Sequence, residues 1–114
     1  MWIRVATNPD SVKVGQGGNK YIEGQHTEEY YFDESVADAL DADRFLPEMW
    51  EQFDALFDWG DCDYFEPDKC QKLSEWIQNK LKEDVPSKAR LIYEVLLQYA
   101  KIAVCNNTGI YFDF

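Results

Sequence analysis

The sequence predicts an α+β domain in which a small antiparallel sheet, including the N- and C-terminal strands, packs against three to four helices. Two patterns predict this class: apolar residues alternate near both ends of the chain, and they follow helical spacing between residues 43 and 105. The composition, 46% hydrophobic and 16% aromatic, is that of a folded chain, because disordered acidic segments are poor in aromatics. With 114 residues, we expect a single domain covering residues 1–114.

The first third of the chain is expected to form strands. In WIRVAT, Ile3 and Val5 share one face, as in a half-buried strand. SVKV and KYIEG flank GQGGN, which predicts a hairpin with a glycine-rich turn. The phosphate-binding pattern G-x-x-x-x-G-K-[ST] is absent from this turn. TEEYYFD follows as a further candidate strand.

In the next part of the chain, the apolar residues follow helical spacing. SVADAL predicts a short helix capped by Ser35 and Asp38. The clearest pattern predicts a second helix from Asp43 to Asp58, ended by Gly60. One face is acidic and contains Asp43, Glu48, Glu51, Asp54 and Asp58, whereas the other is expected to be core and contains Phe45, Leu46, Met49, Trp50, Phe53, Leu56 and Phe57.

Two longer helices follow, at about residues 67–83 and 86–105, with Cys70 and Cys105 expected on their buried faces. The chain then runs through GIYFDF, which alternates again and predicts a strand with Ile110, Phe112 and Phe114 on one face. We expect this strand to pair with the first one, which would fix both termini.

Charge is distributed unevenly along the chain. The net charge is −11, yet residues 28–68 hold 15 acids and a single base, Arg44, so the remainder is close to neutral. Binding to nucleic-acid phosphates or to anionic membranes needs clustered Lys and Arg, so neither is expected. The acidic block favours a basic protein partner or serves solubility.

The stretch FDWGDCDYFEPD, residues 57–68, combines five acids with four aromatics and contains no base. It continues the acidic face of the second predicted helix, so we expect one docking surface in which aromatic anchors lie among carboxylates. The alternative is a solvated helix face with the aromatics packed inward. The expected partner-binding residues are Glu51, Asp54, Asp58, Trp59, Asp61, Asp63 and Tyr64.

Catalytic and metal chemistry have little support in the sequence. Asp61 and Asp63 are not followed by the glycine that an EF-hand calcium loop requires. His26 is the only histidine, and three cysteines without a C-x-x-C spacing give no zinc set. We therefore expect no cofactor, no metal, no catalytic residue and no enzymatic activity. With an odd number of cysteines and no signal-peptide or membrane-spanning segment, we expect a cytoplasmic protein.

The ending NNTGIYFDF places a final strand just after a long helix. With the small size, the acidity and the α+β layout, it resembles immunity proteins of bacterial polymorphic and contact-dependent growth inhibition toxin systems. The resemblance implies neutralisation of one cognate toxin, such as a nuclease domain, by direct binding, and it assigns no residues. The alternatives are a DNA mimic that blocks DNA-binding proteins, a non-inhibitory interaction domain, and a small enzyme or metal-binding domain.

Overall fold

The computed structural model describes all 114 residues. Its strands are β1 (Trp2–Ala6), β2 (Val12–Val14), β3 (Lys20–Ile22), β4 (Thr27–Tyr31), β5 (Cys62–Phe65) and β6 (Ile110–Asp113). Its helices are α1 (Glu34–Ala42), α2 (Phe45–Phe53), α3 (Pro67–Lys80) and α4 (Ser87–Asn106). The predicted α+β class is confirmed. No helix is both long enough and apolar enough to cross a membrane.

The main sheet has four antiparallel strands in the order β4-β1-β6-β5. The predicted pairing of the terminal strands is confirmed, with Ile3 opposite Phe112 and Val5 opposite Ile110. The glycine-rich hairpin is also confirmed, as β2 pairs with β3 in a separate two-stranded ladder. β5 is a correction to the sequence prediction, which places its residues in an acidic loop.

One face of the main sheet packs against the helices. Alternate residues of the inner strands are fully buried there, because side chains in a strand point to opposite faces in turn. They join residues of all four helices in one core cluster. Asp43, expected on the acidic exterior, instead lies between α1 and α2, where it accepts a hydrogen bond from the Tyr93 hydroxyl at 2.6 Å and pairs with Lys80 at 3.1 Å.

Several predicted helix boundaries are wrong. The cap of α1 is Asp33, whose carboxylate accepts the N–H groups of Ser35 and Val36, so Ser35 is not the cap. The helix predicted to run from Asp43 to Asp58 ends at Phe53. Asp54 adopts the left-handed conformation (φ 56°), which Asp tolerates better than most residues and which ends a helix.

Three residues expected in the core are exposed. Trp50 is 49% exposed and Leu56 is 80% exposed, and Cys105 is also at the surface. Leu56 lies beyond the true end of α2, where the chain is no longer helical; its neighbours Ala55 and Phe57 are buried and Leu56 between them is exposed. Phe45, Met49, Phe53 and Phe57 are buried as predicted, and so is Cys70.

Candidate protein-binding surface

The segment of residues 54–61 between α2 and β5 contains a tight turn held by its own carboxylates. The N–H of Asp61 donates to the carbonyl of Asp58 at 3.0 Å, and Gly60 (φ 95°) supplies the positive φ that the turn needs. The carboxylate of Asp61 accepts the N–H of Asp58 at 2.9 Å, and that of Asp58 accepts the N–H of Trp59 at 2.7 Å. Two of the predicted binding acids therefore also stabilise this turn.

Asp63 and Tyr64 point to opposite faces of the sheet. Asp63 lies opposite Phe112 on the helix-packed face, whereas Tyr64 lies opposite Tyr111 on the outer face. The Asp63 carboxylate accepts the backbone N–H of Tyr64 at 2.9 Å, and its burial raises its pKa. Burial likewise raises the pKa of Tyr64 to about 12. Tyr64 packs beside the β2–β3 hairpin, with the Lys20 Nζ 5.7 Å from its ring centroid.

Trp59 lies at the end of the sheet, beside α1. Its indole Nε1–H donates to the carboxylate of Asp41 at 2.9 Å. Its ring packs against Phe114 with 4.9 Å between the ring centroids, and against the edge of Phe32. Trp59 is therefore held in one orientation and remains half-buried.

The seven predicted binding residues do not form the single surface expected from a continuous helix. Tyr64 lies on the outer face of the sheet, Asp63 on the opposite face, and Trp59 beside α1. The other four, however, line two hollows that meet at Trp50: Glu51 and Asp54 on one side, Asp58 and Asp61 on the other. Glu51 is also paired with Arg44 at 3.1 Å.

Trp50 and Leu56 are the apolar residues around which these acids gather, and the sequence prediction had placed both in the core. Together with Leu46 and Pro47 they form what we call the Trp50 patch, whose hollow has a volume of about 320 Å³. Asp58 and Asp61 lie at the margin of this hollow. The left-handed Asp54 brings Leu56 to the surface, and no signal in the sequence periodicity marks that position.

The remaining chemical groups are dispersed. No group of three or more His, Cys, Asp or Glu side chains is arranged to hold a metal ion. His26 pairs with Asp10 at 2.9 Å. Cys70 is buried, which raises the pKa of its thiol to about 12, and its Sγ contacts the carbonyl oxygen of Phe65 at 3.3 Å. Cys62 is exposed, with its Sγ 3.4 Å from the carboxylate of Asp113.

Comparison with protein-family models, with curated proteins and with solved structures finds no match for this chain. The resemblance to immunity proteins therefore stays a prediction from the sequence.

Proposed function

We propose that this protein binds a basic protein partner and neutralises it by covering its functional surface, as an immunity protein does with its toxin. The observation that carries the proposal is the Trp50 patch, an exposed apolar surface with carboxylates at its margin. Large apolar side chains left in water cost free energy, and contiguous patches of them mark interaction sites.

The composition of the patch suits a protein interface. Tryptophan is enriched among the residues that dominate binding energies, and such residues are typically surrounded by polar groups that exclude water. Trp50 has this arrangement, with Leu46, Pro47 and Leu56 beside it and Asp58 and Asp61 at the margin. The patch therefore offers an apolar centre for affinity and charged groups for orientation.

The charge of the surrounding region supports a basic partner. Residues 28–68 carry 15 of the 22 acids, and Arg44 is their only base. Lys69 and Lys72 of α3 line the hollow on the other side of Trp50, together with Glu51, Asp54 and Asp68, so carboxylates outnumber bases there as well. A field of this sign attracts a basic surface and speeds its encounter with the patch. Nuclease domains carry basic clefts because their substrates are polyanions, and carboxylates are a physical substitute for those phosphates. A toxin with nuclease activity is therefore the partner class that we propose.

The test is affinity capture from the native host at about physiological salt, where charges are screened beyond ~8 Å. The bait is the wild-type protein or the double variant Trp50→Ala/Leu56→Ala. A matched control is Leu91→Ala/Val104→Ala, which removes two exposed apolar side chains from α4. The captured protein is then expressed in a sensitive cell, with and without each variant, to measure neutralisation.

We expect one basic partner whose toxicity is abolished by the wild type and by the α4 control. The patch variant should bind at least about 30-fold more weakly, since a hot-spot truncation costs 2 kcal/mol or more. If the patch variant bound as tightly as the wild type, the Trp50 patch would not be part of the interface. Capture of many unrelated DNA-binding proteins, released as salt rises, would instead indicate DNA mimicry.

A further inference from the structure

A second concave surface lies between α1 and the end of the sheet. It is a cleft of about 480 Å³ whose lining includes Tyr31, Trp59 and Phe114 from the sheet end and Glu34 and Asp38 from α1. No Lys, Arg or His lines it, and Met1, with its N-terminal ammonium group, contributes the one positive charge against the two carboxylates. Asp58, at the margin of the Trp50 patch, directly precedes Trp59 in the chain, so the same segment contributes to both surfaces.

The aromatic side of the cleft is fixed in advance. Trp59 is held by its hydrogen bond to Asp41 and by its contact with Phe114. Tyr31 is 55% exposed and packs its ring against Trp2 with centroids 5.2 Å apart. Aromatic faces attract cations through their quadrupole, and tryptophan does so most strongly. Because these rings need little rearrangement, a cation bound there would lose little affinity to the ordering of side chains.

The acidic side of the cleft is unpaired within the chain. Glu34 and Asp38 take part in none of the six ion pairs, which engage other carboxylates. They are four residues apart on α1, so their Cβ atoms are neighbours at about 6 Å. Met1 also lines the cleft, and its ammonium group donates to the carbonyl of Phe32 at 3.0 Å, which leaves the lining with a net charge of −1.

We propose that this cleft receives an arginine side chain of the basic partner. A guanidinium group is planar and always charged, so it can stack on an aromatic face while donating hydrogen bonds to carboxylates at its edge. An ammonium group lacks the flat surface that stacks on a ring. Arginine is also enriched at protein interfaces, where it commonly acts as an anchor. Only the source of this arginine, a basic partner protein, rests on the proposed function; the binding of a guanidinium group in the cleft does not.

The experiment therefore uses a small probe and no partner. N-acetyl-arginine amide is titrated into the ¹⁵N-labelled protein, and the indole N–H signal of Trp59, identified with Trp59→Phe, reports occupancy. N-acetyl-citrulline amide has nearly the same shape without the charge, and N-acetyl-lysine amide has the charge without the plane. The variant Glu34→Gln/Asp38→Asn tests the acidic side, and Glu75→Gln/Glu94→Gln on α3 and α4 matches its charge change.

We expect the arginine probe to shift the Trp59 indole signal saturably. The citrulline and lysine probes should bind at least about 10-fold more weakly than the arginine probe. The Glu34→Gln/Asp38→Asn variant, but not the α3/α4 control, should lose a similar factor in affinity for the arginine probe. Absence of a shift, equal binding of the citrulline or lysine probe, or an equal loss in the α3/α4 control would each overturn the proposal. The result does not depend on the Trp50 patch, so the cleft and the proposed inhibitor function can fail separately.

Discussion

Helix α2 and the segment of residues 54–61 that follows it have similar compositions but use their carboxylates differently. In α2 the acids bond side chains: Glu51 pairs with Arg44, and Glu48 accepts from Gln52 at 3.3 Å. In the segment, Asp58 and Asp61 bond backbone N–H groups instead. Inside a helix the backbone donors are already used by the preceding turn, whereas in a turn they are free for nearby aspartates. In an acid-rich sequence, the carboxylates of one part can therefore form a solvated helix face while those of the next part stabilise a turn by accepting backbone hydrogen bonds.

The apolar residues of the two regions differ in the same way. In α2, Met49 and Phe53 point to the core at helical spacing, and in the segment Ala55 and Phe57 do so at a spacing of two. The change of period at Asp54 exposes Leu56 beside Trp50. The Trp50 patch is thus a product of the junction between the regions and belongs to neither alone.

The largest expected effect contrasts Phe53 with Leu56. Phe53 packs against Phe65 and Trp76 with ring centroids 5.8 and 5.9 Å away. Phe53→Ala should lower the free energy of unfolding by about 3 to 5 kcal/mol, as expected for a buried aromatic. Leu56→Ala should change it by less than about 0.5 kcal/mol, as at most surface positions. Urea unfolding measures both, and similar losses would mean that Leu56 is packed in solution.

A smaller effect should separate the two kinds of carboxylate. Asp61→Ala removes the acceptor for the Asp58 N–H and should destabilise the protein by about 1 kcal/mol, the typical contribution of such a hydrogen bond. Glu51→Ala breaks only an exposed ion pair and should cost less than about 0.5 kcal/mol. The same unfolding measurement applies. If Glu51→Ala proved the more costly, the contrast between helix and turn would be wrong.

The smallest effect concerns Asp63 in β5 and depends on pH. Burial raises the pKa of the Asp63 carboxyl group, so folding favours its protonated form. The stability that this group contributes is present below the unfolded pKa of about 3.9 and is lost as the pH rises through the folded pKa. Asp63→Asn cannot ionise, and its side-chain oxygen can still accept the Tyr64 N–H. The variant should therefore unfold at a higher temperature than the wild type at pH 7, and the difference should shrink towards pH 3.

Thermal unfolding at several pH values checks this prediction. A wild type that is the more stable protein at pH 7 would mean that the Asp63 charge is favourable in the fold.

The same variant also tests the predicted docking surface, because Asp63 shares its face of the sheet with Phe112. Partner binding by Asp63→Asn should match that of the wild type.

The sequence was sufficient for the regular parts of the fold and insufficient for the junctions. Alternation identified β1 and β6, and helical spacing placed α4 within a residue of its ends, because long periodic segments average over local exceptions. Glycine spacing identified the β2–β3 turn. Strand β5 was missed because only Tyr64 and Phe65 of its four residues are typical of strands, Asp63 is not, and the pairing depends on β6, far along the chain.

The candidate site was predicted in part, for a related reason. The four acids Glu51, Asp54, Asp58 and Asp61 line two hollows that share Trp50, whereas the predicted Trp59 and Tyr64 lie elsewhere. Trp59 lines the neighbouring cleft, whereas Tyr64 packs under the hairpin. A periodic pattern extended through Asp54 cannot detect a left-handed residue, since Asp is compatible with both the helix and its end.

The position of β1 between β4 and β6 has a consequence for how the protein is made. Arg4 joins both neighbours, pairing with Glu29 at 3.0 Å and with Asp113 at 2.8 Å. During synthesis β1 is followed within about 20 residues by β4, but its second neighbour, β6, is not made until after α4. Contacts between such distant parts of a chain form slowly. One edge of β1 therefore stays unpaired while the residues from β4 to α4 are synthesised, and in that interval the edge is open to pairing with other chains.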